Sequence, residues 1–255
     1  MGVWHVSAES DSVVLKVVRD GGVGLRWPSS PEVSHPYYWR REVCAYESSL
    51  PAAFGAPTCR AVVERPDGSI ALWLEDVGET PEWTPELLGA VAQRLGEAQA
   101  ALAAALPAAG WLARDWLRAY LRLHEVDPVV ETLDRLDRLT QTVCHNDFHP
   151  ANVLGPRAEH VIDWAYCGIG AVGLDAGVLV ADGIADEAFP AERADEVAAA
   201  VWGGYLAGLA GAADEDGVRF AFARGTALRL SWLPRGERAA WDATIDFLER
   251  LASTA

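Results

Sequence analysis

The chain has 255 residues, half of them apolar, with 37 Asp or Glu against 21 Lys or Arg and a net charge of −16. That much apolar chain can bury a sizeable core, which excludes a disordered tail. The acidity, with no basic run longer than Arg40-Arg41, argues against a nucleic-acid binder.

In chain order, Gly2 to Ala8 and Ser12 to Val18 read as two strands joined at the polar turn Glu9-Ser10-Asp11. Alternation puts Val14, Lys16 and Val18 on one face of the second strand and Val13, Leu15 and Val17 on the other. Lys16 is the sole lysine; the other cations are all Arg. Lys is a compact point charge and Arg a planar fork, so a lone Lys marks a position that the fork does not suit. Chance, or an edge-strand gatekeeper, is the plainer reading of that residue alone. Residues 20–36 hold Gly, Pro and Ser clusters and read as a loop. Tyr38 to Leu50 reads as a helix, and Arg60 to Glu64 with Ser69 to Leu74 as a hairpin around Pro66-Asp67-Gly68.

From Thr84 the pattern turns helical. Thr84-Pro85-Glu86 combines a hydroxyl cap, Pro at the first position and an acid in the first turn. That helix is expected to run to about Leu106, where Pro107 and Gly110 end it, and further helices are expected near 111–124 and 129–140. Thr142 to Asp163 is a loop-and-strand segment, with Val153-Leu154 and His160 to Ile162 as strands. Helices resume after Asp175 to the end. The longest uncharged run, Val197 to Ala213, falls short of the roughly 20 residues of a membrane span and reads as a buried helix. Four cysteines without a CxxC pair suggest free thiols in a reducing compartment, and the N-terminus lacks a signal-peptide pattern. A cytoplasmic protein without a membrane or nucleic-acid partner is the expectation.

The densest polar cluster is CHNDFHPANVL, residues 144–154, followed by HVIDW, residues 160–164. Asp147, Asn152 and Asp163 converge if a loop and hairpin join them. Amide and carboxylate oxygens are hard ligands suited to Mg2+, which binds few protein groups and keeps places for substrate phosphates. Asp147 can then orient a nucleophilic hydroxyl and accept its proton. A rival uses His145, Asp147 and His149 as ligands in a metal-dependent hydrolase, since alternating residues on a strand face one way. Pro150 disfavours a regular strand there.

HNDFHPAN resembles the catalytic loop of the aminoglycoside phosphotransferase and choline kinase group, a branch of the protein-kinase-like fold. VIDW resembles its metal-binding segment. VVLK, residues 13–16, resembles the strand carrying the nucleotide-phosphate lysine, and YYWRREVCAYES resembles the helix whose Glu pairs with it. The resemblance implies an α+β two-lobe fold. A small β-rich nucleotide-binding lobe with one helix would span 1–77, and a larger, mainly helical lobe with the catalytic loop and acceptor site would span 78–255. It implies transfer of the γ-phosphoryl group of ATP or GTP, with Mg2+, to a hydroxyl of a small molecule. Aminoglycosides and other antibiotics are among the acceptors, and antibiotic resistance is the family-level role. The roles implied are Asp147 as catalytic base, Lys16 and Glu42 as the phosphate grip (Glu47 the weaker candidate), and Glu75, Asp76 and Val77 in LWLEDV as the adenine hinge. Asn152 and Asp163 would be metal ligands, and His145 and Asp175 structural braces. Taken alone, Glu42 reads better as a solvated helix acid, and Asp175 reads also as an ordinary helix N-terminal acid. His149 would orient the loop or touch phosphate. Asp182, Asp186 and Glu187 are candidate contacts for an amino-sugar.

The sequence departs from the family pattern at two points. No Gly-rich loop precedes Lys16, and Gly21-Gly22 and Gly24 follow it, so the first strand and that loop are expected to be missing. A degenerate, binding-only homologue is the alternative this raises. After Asp163, AYCGIGAVGLD lacks the acid and the Gly-Asp-Pro that often follow.

Overall fold

The structure is a computed structural model that describes residues 2–8, 11–21, 29–123, 130–230 and 250. The Glu9-Ser10 part of the first turn, Gly22 and Gly24 of the loop, and the expected helix beyond 230 lie outside the described residues.

Strand β1 (Gly2–Ala8) pairs antiparallel with β2 (Asp11–Val18), placing Val3 opposite Lys16. A hairpin of β3 (Cys59–Glu64) and β4 (Ile70–Glu75) completes a four-stranded antiparallel sheet in the order β1-β2-β4-β3. In the hairpin turn, Gly68 adopts φ +78 and Asp67 accepts from both the backbone N–H and the hydroxyl of Ser69. Because β2 lies inside the sheet, with Leu72 of β4 opposite Lys16, the edge-gatekeeper reading of that lysine fails.

Helix α1 (Arg41–Glu47) packs Val43 onto Val18, Ile70, Leu72 and Leu74. It is shorter than the 38–50 expected. Ser48 ends it by donating its hydroxyl to the Ala45 carbonyl and accepting from the Leu50 N–H, which replaces helical bonding with a local turn ahead of Pro51.

The remainder is built on α2 (Pro85–Ala104), α3 (Trp116–Leu123), α4 (Val130–Arg138), α5 (Leu174–Ala185), α6 (Ala194–Leu209) and α7 (Glu215–Leu230). Thr84 caps α2 as expected, accepting from the Leu87 N–H at 3.2 Å. The long uncharged run forms most of α6, whose Gly204 and Gly208 lie against the backbone of Gly89 and Gln93. A Cβ at either glycine would stand 2.0 Å from a carbonyl oxygen of α2. The glycines therefore set the closeness of the α2–α6 crossing. Among the described residues no helix is long and apolar enough to cross a membrane.

Two small ladders are set into this helical part. Strand β6 (Val153–Leu154) pairs with β7 (His160–Val161), as expected. A second ladder, β5 (Gln141–Cys144) with β8 (Gly168–Ala171), was not expected in GIGA. Its glycines are there for space: a Cβ on Gly168 would lie 2.4 Å from the Ala113 carbonyl oxygen. The same contact delays α3. Ala113 bonds Cys167 and Ile169 through its backbone, so the helix expected from 111 starts at Trp116. The main apolar core joins α2, α5 and α6 to Phe148, Val153, Val161 and Trp164, which anchors the 145–163 segment from below. All four cysteines are free, as expected, and Cys144 and Cys167 are buried.

Candidate active site

The sheet contributes one charge to the site. Lys16 is only 7% exposed, and its Nζ lies 2.8 and 2.7 Å from the two carboxylate oxygens of Glu42 and 3.1 Å from Oδ1 of Asp163. Burial alone would lower the lysine pKa. The Asp163 and Glu42 carboxylates override it and hold the ammonium charged, above the ordinary lysine range. Burial pushes the Glu42 carboxyl up, with Lys16 pulling against it. Glu42 is thus the partner of Lys16, while Glu47 at the end of α1 is exposed.

The helical part contributes a loop held by its backbone. After β5 the chain leaves the ladder at His145, and Asn146 takes a left-handed φ of +64, which Asn tolerates better than most residues. Asp175 in the first turn of α5 is fully buried. Its Oδ2 accepts from the His145 N–H at 2.7 Å and its Oδ1 from the Asn146 N–H at 2.9 Å. Oδ2 also accepts from the Gln99 side chain of α2 at 3.0 Å. Gln99 in turn receives the Tyr205 hydroxyl of α6 on its carbonyl oxygen. Gln99 and Tyr205 escaped the sequence reading; the one signal was a Gln on the apolar face of an otherwise Ala- and Leu-rich helix.

His145 is fully buried between Phe148 and Trp164. Its Nε2 lies 2.9 Å from the Ile162 carbonyl, which can only accept, so Nε2 carries the proton. Burial depresses its pKa and keeps the ring neutral. With that ring turned into the core and β5 ending at Cys144, His145, Asp147 and His149 share no strand face. Among the described residues no three His, Cys, Asp or Glu side chains are grouped as a metal site would need. The hydrolase alternative loses its geometry.

Asp147, Asn152 and Asp163 come together around this loop. The Asn152 side-chain NH2 donates to the Asp147 backbone carbonyl at 2.9 Å and to its carboxylate at 3.1 Å. Its backbone carbonyl accepts from the Ile162 N–H, tying the loop to the residue before Asp163. Asp163 sits at φ +63, and this left-handed turn aims its carboxylate at Lys16. The amide nitrogen of Asn152 is engaged, and Lys16 takes one oxygen of Asp163. The side-chain amide oxygen Oδ1 of Asn152 and the other Asp163 oxygen are the atoms left, and both are hard oxygen donors that fit Mg2+.

His149 links two acids. Its Nδ1 lies 3.0 Å from Asp186 at the C-terminal end of α5, and its Nε2 lies 3.7 Å from Asp147. Burial opposes protonation, but Asp147 and Asp186 outweigh it and push the imidazole pKa up to about 10. Asp186 is therefore occupied by His149, which removes it as a free contact for an amino-sugar. Glu187 is exposed, and Asp182 is half-buried one turn before Asp186.

An aromatic wall, also missed from sequence, stands beside the loop. Tyr37 packs edge-on against Tyr120 and Tyr166, and Trp116 stacks on Tyr120 at 4.9 Å. Burial raises the Tyr37 and Tyr166 pKa values, and the Tyr166 backbone carbonyl accepts from the Asn146 side chain at 2.8 Å, which sets the cluster beside the loop. On the sheet, Glu75 closes β4. Its N–H bonds the Thr58 carbonyl and its carboxylate accepts from the Thr58 N–H. Asp76 accepts from the Gly78 N–H and lies 3.5 Å from His5, and Val77 follows at the strand exit.

No curated protein matches the chain's sequence. Solved structures do match its fold. The amicoumacin kinase hAmiN, in complex with AMP-PNP, Ca2+ and Ami, superposes with a TM-score of 0.63 at 16% identity, over 99% of this chain and 85% of that one. A thermostable mutant of aminoglycoside phosphotransferase APH(4)-Ia, in ternary complex with ADP and hygromycin B, gives 0.55 at 14% identity, over 100% and 94%. Spectinomycin phosphotransferase APH(9)-Ia, in its AMP-bound complex, gives 0.52 at 11% identity, over 99% and 90%. These likenesses show the two-lobe, protein-kinase-like α+β fold. The model of the phosphotransferase enzyme family matches residues 49–221, more than half of the chain, which includes the 145–152 loop and Asp163 but not Lys16 or Glu42. On that match the chain belongs to the phosphotransferase enzyme family.

Proposed function

We propose that this protein transfers the γ-phosphoryl group of ATP or GTP to a hydroxyl of a small molecule. The reading rests on the meeting of Lys16, Asp163, Asn152 and Asp147 at one cleft between the sheet and the helical part. It divides the chain into a nucleotide lobe, 1–77, and an acceptor lobe, 78–255. Lys16, kept charged by its two carboxylates, grips the nucleotide phosphates. Asp76 and Val77, with Glu75, form the rim that borders the base. Asn152 and Asp163 would hold Mg2+ by their remaining side-chain oxygens. When bound, that ion neutralises charge between the phosphates. Asp147 orients the acceptor hydroxyl and takes its proton, while Asn152 fixes the carboxylate by its side-chain N–H. Phosphoryl transfer needs little covalent chemistry from the protein, so positioning and electrostatics supply the rate. His145 and Asp175 brace the loop. Tyr166, half-buried beside the loop and backed by the buried Tyr37 and Trp116, gives the acceptor an apolar boundary, with Asp182 and Glu187 as the nearby acids for a cationic acceptor such as an aminoglycoside.

The test is a panel of hydroxyl compounds, including aminoglycosides and other antibiotics, incubated with purified protein, Mg2+ and ATP or GTP. Mass spectrometry reads the gain of one phosphoryl group. Transfer that disappears in Asp147→Asn supports the reading. Nucleotide binding without transfer to any acceptor, and without Mg2+-dependent hydrolysis, favours the binding-only alternative.

A further inference from the structure

Arg41 is the largest fully buried charged side chain among the described residues, and the site reading gives it no task. Among those residues no carboxylate pairs with it. Its five N–H groups instead meet five backbone carbonyls. Nε donates to Trp111 at 3.1 Å. Nη1 donates to Pro36 at 2.6 Å and to Ala165 at 3.3 Å. Nη2 donates to His35 at 2.8 Å and to Val33 at 3.3 Å. Burying an unpaired cation is costly, and full use of the planar fork is what makes it tolerable. A lysine, with three donors at one point, cannot replace it.

The placement of these carbonyls is informative. Arg41 immediately precedes Glu42, and Ala165 lies two residues after Asp163. α1 also packs against the 164–166 turn. The contacts close a ring: Asp163 to Lys16, Lys16 to Glu42, Glu42 through the backbone to Arg41, and Arg41 to Ala165. We propose that Arg41 is a positioning residue that fixes the separation between Glu42 and Asp163 and so holds Lys16 between two carboxylates before any ligand arrives. The helix bearing the Glu is thereby locked inward by hydrogen bonds that depend on neither a nucleotide nor a modification.

This rests on the phosphate-gripping role given to Lys16, and the test separates the two. Because Lys16 is the only lysine, acylation by an amine-reactive reagent, read by peptide mass spectrometry, reports on one side chain of the full chain. The charged, enclosed ammonium of the wild type should react slowly. In Arg41→Gln, with the fold retained by circular dichroism and a cooperative melt, Lys16 should acylate about tenfold faster, equivalent to a loss of about 1.4 kcal/mol in the closed arrangement. Glu42→Gln should give a similar rise, and the double variant should add little to either, since both act through one ring. Arg41→Lys, whose new amine maps to a different peptide, should behave like Arg41→Gln.

A Lys16 rate within about twofold of wild type in the folded variants overturns the proposal, as do effects of Arg41→Gln and Glu42→Gln that simply multiply. Failure of both Arg41 variants to fold also overturns it, because the residue then serves the fold and not the site. Should the acylation results hold while the wild type neither binds nor turns over nucleotide, the functional reading fails and the positioning role stands.

Discussion

The two sides of the site are held by different forces. On the sheet side, a lysine is fixed by charge, between Glu42 and Asp163, with neighbours that are apolar. On the helical side, the loop is fixed by backbone N–H groups that converge on the buried Asp175, itself oriented by Gln99 and Tyr205. Charge pairing is tunable: ligands and ions can compete for Lys16 and Asp163. Bonds to a buried carboxylate that no solvent reaches are fixed. On the proposed function, the side that would exchange partners during a phosphoryl transfer is built from ion pairs, and the side that would hold Asp147 still is built from hydrogen bonds.

The strongest break in this contrast is at Asp147. Asp147→Asn keeps the Asn152 and loop contacts near their present geometry but removes the proton acceptor. Transfer in a single-turnover assay should fall by about 10³-fold with the unfolding midpoint unchanged. Asp163→Ala should abolish transfer equally while the fold survives; substantial turnover in either variant sinks the mechanism. Next is Lys16→Arg, which keeps the charge but puts a planar fork in a point-charge site. We expect kcat/KM to drop about 10²-fold, and near-wild-type kinetics would remove the special role of this lysine.

Asp175→Ala tests the hydrogen-bonded side. It strands the N–H groups of His145 and Asn146 and the amide of Gln99 in the core, a loss of about 3 kcal/mol readable as a lower urea midpoint. Activity should fall with it, whereas Glu42→Gln should lower activity with a smaller stability change.

The smallest effect is expected at the exposed link between the two types. His149 has a folded pKa of about 10, raised by Asp147 and Asp186, with Asp182 adding, above an unfolded value of about 6.5. The stabilisation is fully present below the unfolded value and is lost as pH rises through the folded one. Asp186→Asn should therefore be slightly less stable than wild type at neutral pH, and the gap should close toward pH 10. An imidazole resonance of His149 that titrates at the same pH in both proteins would refute the pairing.

Much of this was legible in order along the chain. VVLK, the Glu of the next helix, HNDFHPAN and VIDW each announce a residue type at a spacing, and Pro66-Asp67-Gly68 and Thr84-Pro85 announce local backbone states. Those signals survive because they depend on a few neighbouring residues. β8 was not legible, since Gly168 and Gly170 have poor strand propensity and are chosen for what presses against them. Nor was the fate of Asp186, which local sequence offers to solvent and the fold offers to His149.

The sequence by itself therefore determined which groups the protein has for its chemistry, the chain order in which they come, and the α+β character that holds them. It singled out Lys16 from the arginines. Only the tertiary structure decided that Asp163 would share the lysine with Glu42, and that Gln99, Tyr205 and Arg41 would hold the two sides in place. The physical reason is range. Propensity and capping act over a few residues, whereas the partners of a buried charge or amide are chosen by which distant backbone and side-chain groups the packing brings within 3 Å or so, and a buried polar group must find them or weaken the fold.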